Sequence, residues 1–197
     1  MRAVLKLGGS LAASATLQSW LRTALACGRG RLVIVPGGGP FADEVRRLQR
    51  RMRLSDEVSH RMAILAMQQF GLAIESLAPG LEGADSRAAI ERVLRRRRVA
   101  VWLPSRMLDR ASDIRPGWDV TSDSLAAWLA ERLRAQLLVV VKSCRIDSED
   151  PRELARRRVV DEAFPRVVAR CGARVAIVGR SSWRRLPCLL DATSGPA

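Results

Sequence analysis

Tyrosine and asparagine are absent from this 197-residue sequence, and histidine occurs once. Aromatic residues make up 4% of the chain, too few for the stacking platforms that hold single-stranded nucleic acids. The four cysteines, Cys27, Cys144, Cys171 and Cys188, form no CxxC pair. With His60 the sole histidine, neither a Cys/His zinc site nor a disulfide framework is expected, and a reducing cytoplasm fits best. Apolar runs such as Leu137–Val141 are far too short to span a bilayer as a helix. The N-terminus leads straight into Ala3, Val4, Leu5 and Lys6, so export by a signal peptide is not expected.

Lysine is nearly absent too. Of 34 basic residues, only Lys6 and Lys142 are lysines; the rest are arginine. Lysine, asparagine and tyrosine have AT-rich codons, so a GC-rich genome explains all three shortages. Arginine then serves wherever a cation suffices, and a surviving lysine marks a place that needs a compact ammonium rather than a rigid fork. Both lysines sit beside expected strand ends. The net charge of +14 raises nucleic-acid binding as a reading. The arginine clusters at 46–53, 92–98 and 152–158 are nevertheless spread along the chain without interleaved aromatics. Solvated helix faces are the simpler reading, with some arginines attracting an anionic substrate.

Hydrophobic residues at 48% and charged residues at 27% are ordinary for a globular chain, and the length suits one domain over residues 1–197. Strand and helix patterns alternate, which predicts an α/β fold with a central, mostly parallel sheet. Strands are expected at 2–7, 31–35, 99–103, 137–141 and 174–178. Helices are expected at about 14–27, 41–52, 56–73, 86–96, 122–134 and 161–171. Pro40 suits the first turn of the second helix, followed there by Asp43 and Glu44. Thr121 is the expected side-chain cap of the helix at 122. Residues 105–119 read as an irregular loop, and the tail from Trp183 carries no clear pattern.

Two glycine turns follow the first two strands: Gly8-Gly9-Ser10 and Gly37-Gly38-Gly39. Glycine lets backbone approach a ligand closely, and a following helix start adds partial positive charge, so each turn can hold a phosphate. Neither is a P-loop or a dinucleotide fingerprint. The segment Trp118-Asp119-Val120-Thr121-Ser122-Asp123-Ser124 puts small polar groups and a carboxylate at a helix start, where Asp123 can hold an ammonium. Ser105 and Arg106 are candidates for an acceptor phosphate, since arginine suits bidentate recognition. All these features follow strands, and open α/β sheets bind ligands at that edge.

With Lys6-Leu7-Gly8-Gly9-Ser10, Val35-Pro36-Gly37-Gly38-Gly39-Pro40 and Thr121-Ser122-Asp123-Ser124-Leu125-Ala126-Ala127 in this order, the chain resembles the amino acid kinase family. That fold is a three-layer αβα sandwich shared by acetylglutamate, carbamate, uridylate and isopentenyl phosphate kinases. The helix around His60-Arg61-Met62-Ala63 and the string Trp102 to Leu108 resemble a subgroup within it, kinases that add a second phosphate to a phosphorylated furan. The resemblance implies ATP and Mg²⁺, a small phosphorylated acceptor and paired subunits, while the short apolar runs and scattered arginines argue against a membrane or nucleic-acid partner. It implies an acceptor lobe over about 1–135 and a shortened nucleotide lobe over about 136–197. Lys6 would meet the phosphoryl group in flight, with Gly8, Gly9, Gly38 and Gly39 donating N–H groups and Asp123 orienting the lysines. His60, Trp118, Thr121 and Ser122 would face the acceptor, although helix packing accounts equally for His60. Lys142, Ser143, Asp147, Gly179 and Arg180 would face the nucleotide. No metal ligands are assigned.

Two departures stand out. Many family members carry a second lysine near the C-terminus, whereas this chain has none after Lys142; Lys142 or Arg180 is expected in its place. The Asp-Gly expected after Lys142-Ser143 is here Cys144-Arg145-Ile146-Asp147. A kinase for another carboxylate or monophosphate, or a non-catalytic member that binds anions or nucleic acid, are the competing readings.

Overall fold

The computed structural model describes residues 1–192; residues 193–197 of the expected domain lie outside the described residues. Six strands form one all-parallel sheet: β1 (Ala3–Leu7), β2 (Leu32–Pro36), β3 (Leu81–Ala84), β4 (Val99–Trp102), β5 (Leu137–Lys142) and β6 (Arg174–Gly179). Their spatial order is β3-β4-β2-β1-β5-β6. The expectation of a mostly parallel central sheet is met, with one strand added. The short edge strand β3, Leu81-Glu82-Gly83-Ala84, has no apolar run and only half its residues are buried, so it lacks a strand signal.

Nine helices flank the sheet among the described residues: α1 (Ala15–Cys27), α2 (Gly39–Met52), α3 (Asp56–Ser76), α4 (Arg87–Arg95), α5 (Ser105–Leu108), α6 (Ser122–Leu133), α7 (Pro151–Arg156), α8 (Phe164–Cys171) and α9 (Leu186–Asp191). None is long and apolar enough to cross a membrane. Strand side chains alternate between faces. Val4, Val33, Val35, Leu138 and Val140 meet α4, α6 and α8 on one side. Ala3, Leu5, Leu7, Ile34, Val139 and Val141 meet α1 and α9 on the other. Helix α3 contributes to both cores, with Ile64 and Met67 on the first side and Phe70 and Ile74 on the second. The result is the three-layer αβα sandwich.

Several local expectations need correction. Helix α2 begins at Gly39, so Asp43 and Glu44 lie beyond its first turn. The loop after β4 opens with the short helix α5, and α7 begins at Pro151 after Asp150, whose side chain accepts from Arg152 N. Thr121 precedes α6, but its side chain makes no capping bond to the helix.

The strand register sets the site. Lys6 pairs with Val140 and Leu7 with both Pro36 and Val141, so β1, β2 and β5 end close together. Lys142 stands two residues beyond Val140 on the same face. The chain winds to β2 on one side of β1 and returns to β5 on the other, which makes the β1–β5 end the crevice where open sheets bind ligands.

Candidate active site

Even-numbered residues of β1 and β5 face α6, as Val4, Leu138 and Val140 do. That parity sends Lys6 and Lys142 to the side where α6 begins, and Asp123 in its first turn meets both. Lys6 Nζ lies 2.7 Å from Asp123 Oδ1 and Lys142 Nζ 2.7 Å from Oδ2. Lys6 and Asp123 are each 3% exposed; Lys142 is more open. Burial lowers the Lys6 pKa, with Lys142 adding to the fall and Asp123 opposing it. Burial also disfavours an ionised Asp123, but the two ammonium groups outweigh it and hold its carboxyl below the usual range. The expected clustering of Lys6, Asp123 and Lys142 is what the structure contains.

A buried carboxylate that sequence reasoning did not single out supports this triad. Asp161, in the segment before α8, accepts hydrogen bonds from Thr121 N at 3.0 Å, Thr121 Oγ1 at 2.7 Å, Ser124 N at 3.0 Å and Ser124 Oγ. It therefore occupies the capping position assigned by sequence to Thr121. Burial raises the Asp161 pKa, and the negative Asp123 nearby adds to the rise.

The two glycine turns close the floor of the crevice in different ways. A Cβ on Gly9 would overlap the backbone of Gly39, and one on Gly37 would overlap Gly9 N. These glycines exist so that the turns can touch each other. Gly37 N is spent on Leu7 O at 2.8 Å, and Gly37 does not line the crevice; its expected phosphate contact is replaced by packing. Gly8, Gly9, Ser10, Gly38 and Gly39 do line it. The first amides of α2 start at Gly39 and have no partner within their own helix, which leaves them for an anion.

Above this floor lies a cavity of about 590 Å³. Its wall is apolar on one side, with Ala63, Ile64 and Met67 of α3, and carries Trp118, Val120, Thr121 and Ser122 on the other. Trp118 is fixed by donating Nε1 to Gln49 Oε1 at 2.6 Å, and the Arg46 guanidinium lies 4.5 Å from its ring centre. His60 is buried in the same wall, with Nδ1 3.0 Å from Gly117 O and 3.3 Å from Gly117 N. The ring thus both ties the 109–118 loop to α3 and borders the cavity. Arg46, Arg157 and Arg158 at the rim were not foreseen as site residues.

Ser143 and Cys144 also border a second groove of about 670 Å³, shared with Asp147, Gly179, Arg180, Arg145 and Arg185. Of the residues expected at the nucleotide, Ser143, Asp147, Gly179 and Arg180 gather at this groove, while Lys142 lines the first cavity. Arg180 lies there, away from the triad, with its carbonyl accepting Trp20 Nε1 at 2.8 Å; Lys142 alone of the two proposed substitutes reaches Asp123. Asp147 is paired with Arg157 at 2.7 and 3.0 Å. Ser105 and Arg106 are not brought to the cavity. Ser105 N donates to Gln68 Oε1 at 3.2 Å, and Arg106 pairs with Asp85 at 3.1 Å beside a separate depression. No group of three or more His, Cys, Asp or Glu side chains among the described residues could hold a metal, and both Asp123 oxygens already face lysines.

The model of the amino acid kinase family matches residues 1–163. The [5-(aminomethyl)furan-3-yl]methyl phosphate kinase of Methanocaldococcus jannaschii is 28% identical over 138 residues. That stretch is 70% of this chain and 63% of the relative, so the chain spans less than two thirds of it. Among solved structures, the uridylate kinase of Archaeoglobus fulgidus superposes with a TM-score of 0.70 at 20% identity, covering 100% of this chain and 97% of that one. The UMP kinase of Bacillus anthracis gives 0.68 at 13% identity, covering 95% and 91%. The T. acidophilum isopentenyl phosphate kinase gives 0.59 at 15%, covering 94% of each. These structures share the fold.

Proposed function

This chain belongs to the amino acid kinase family, and from that premise we propose that it is an ATP-dependent kinase whose acceptor is itself a small phosphate ester. The observation that carries this reading is the Lys6–Asp123–Lys142 triad, set beside a glycine floor in the wall of the first cavity. Two ammonium groups held 2.7 Å from one carboxylate form a fixed cationic centre. Phosphoryl transfer asks mainly for positioning and charge neutralisation. An acceptor phosphate oxygen is already an anion, so no general base is needed.

The acceptor would sit in the first cavity, its phosphate over Gly8, Gly9, Gly38 and Gly39 and its body against Ile64, Met67 and Trp118. A flat, five-membered ring suits that apolar and aromatic wall. The likeness to the furan phosphate kinase supports [5-(aminomethyl)furan-3-yl]methyl phosphate as the acceptor and its diphosphate as the product, as in the assembly of methanofuran-type cofactors. ATP would lie in the groove by Ser143, Gly179 and Arg180. Mg²⁺ would arrive on the nucleotide's phosphate oxygens and waters, since Mg²⁺ readily keeps several waters in kinase sites.

The test is a panel of acceptors assayed for ADP release from Mg-ATP: the furan phosphate, UMP, isopentenyl phosphate and carbamate. The furan phosphate is expected to give the highest kcat/KM, and Lys6→Ala to lose at least ~10²-fold in kcat while melting as one cooperative unit. Preference for a different acceptor would retain the kinase and replace the substrate; release with none would remove the kinase reading.

A further inference from the structure

Five basic side chains line the first cavity: Lys6, Arg46, Lys142, Arg157 and Arg158. Lys6 and Lys142 share Asp123, Arg46 is paired with Asp43 at 2.9 Å, and Arg157 with Asp147 at 2.7 Å. Arg158 alone of the five has no carboxylate in ion-pair reach among the described residues. Arg158 also lines the neighbouring cavity that contains Asp123, Lys142 and Asp161, so it stands beside the triad from two sides.

Its backbone is held firmly. Arg158 follows α7 in a left-handed turn at φ 56°, with its N–H donating to Ala155 O at 2.9 Å and Val159 N to Leu154 O at 2.8 Å. Leu154 is fully buried, which anchors that turn to the core. A rigid backbone thus carries an unpaired guanidinium to the mouth of the crevice. The triad by itself carries one net positive charge, because Asp123 cancels one lysine. Two phosphorylated substrates meeting there bring several negative charges. A cation beside the triad would offset part of that charge alongside the Mg²⁺ carried by the nucleotide, and Arg158 is the cavity arginine with no carboxylate partner among the described residues to give up first.

We propose that Arg158 is a catalytic residue that donates N–H groups to the phosphoryl group as it moves from ATP to the acceptor. This rests on the phosphotransfer reading above. In the step, an acceptor phosphate oxygen forms a bond to the γ-phosphorus, the bond from that phosphorus to the β-γ bridging oxygen breaks, and the electron pair leaves on ADP. Arg158 neither gains nor loses a proton; it offsets charge on the oxygens in flight, a role for which the flat fork of arginine is suited.

The left-handed turn supplies a clean test. Glycine adopts that conformation without strain, so Arg158→Gly removes the side chain without endangering the fold. Arg134→Gly, at the same kind of turn (φ 49°) at the far end of α6, is the control. Steady-state ADP release is measured with both substrates varied, with and without millimolar guanidinium. Arg158→Gly is expected to lose about 10²-fold in kcat relative to Arg134→Gly, with both KM values within threefold, and guanidinium is expected to restore part of the rate. A kcat within threefold of the control, a change confined to KM, or a loss that guanidinium leaves untouched would each overturn the assignment. An inactive wild type with every acceptor would instead overturn the phosphotransfer reading on which it rests.

Discussion

Two ammonium groups within reach of one carboxylate are stable only because each charge is answered. Lys6 repels Lys142, Asp123 attracts both, and burial opposes the charges of Lys6 and Asp123. For Lys6 the balance lowers its pKa below the ordinary 10.5. Neutral Lys6 cannot pull on phosphoryl oxygens, so activity should fall as pH rises through a value below that of a free lysine. Lys6→Arg replaces the titrating group with one that remains charged. The alkaline limb of a kcat–pH profile should therefore move up or vanish in that variant, whatever rate remains. An alkaline limb unchanged by Lys6→Arg would show that another group controls it. Asp123 has the opposite behaviour in acid: its lowered pKa keeps it ionised below the ordinary 3.8, and Asp123→Asn should leave the buried Lys6 ammonium, and the half-buried Lys142 beside it, unanswered and destabilise the fold by several kcal/mol.

At the scale of elements, the start of α6 depends on Asp161. Asparagine there offers one acceptor where four donors converge and turns an NH₂ group toward others. Asp161→Asn should cost about 1–3 kcal/mol and loosen Asp123. The pH dependence carries a sign that identifies the group. Because the folded-state pKa of Asp161 is raised above 3.8, the folded protein holds that proton more tightly than the unfolded chain. Its contribution to stability therefore declines as pH rises from about 4 through the raised value, and Asp161→Asn should remove that step from urea unfolding curves measured across this range. A second element-scale effect comes from missing asparagine. Among the described residues, the four non-glycine residues at positive φ are Arg53, Arg97, Arg134 and Arg158, all at or just after helix ends. Glycine or asparagine usually fills such turns. Arg134→Gly should raise stability by about 0.5–1 kcal/mol, the relief of left-handed strain less the glycine entropy.

These elements also show what could be read beforehand. Val4-Leu5-Lys6 and Val139-Val140-Val141-Lys142 have clear strand patterns, but it is the β1–β5 register, with Lys6 opposite Val140, that puts both lysines on one face. Their pairing with Asp123 is what the family resemblance implies. Asp161 could not be read, because its four bonds join segments nearly forty residues apart. Edge strand β3 is too short and too polar to signal itself, and α5 and α7 have only four and six residues. Ser105 and Arg106 follow a strand as the site residues do, yet β4 lies two strands from β1, and Arg106 turns to Asp85 instead. The sequence places Gly37 at a phosphate; in the structure Gly9 packs against it instead.

For the whole molecule, a net charge of +14 has to coexist with a specific small-molecule site. Many arginines are engaged in surface pairs, among them Arg31–Asp191, Arg87–Glu91 and Arg132–Asp113. The remainder attract anions without reading them. Fluorescence anisotropy with duplex DNA should accordingly show only weak binding, with Kd no tighter than ~10⁻⁶ M at physiological salt and falling steeply in strength as salt rises. Tight binding that hardly responds to salt would favour a nucleic-acid function over the kinase.

Phosphorus NMR of the protein with Mg-ATP and [5-(aminomethyl)furan-3-yl]methyl phosphate tests the central claim most directly. The acceptor's monophosphate resonance should give way to the two coupled signals of a diphosphate as ADP appears in equal amount, and Lys6→Ala should leave both substrates unchanged. ADP accompanied by free inorganic phosphate, or ATP and acceptor that persist together with the wild-type protein, would contradict transfer to a phosphate oxygen.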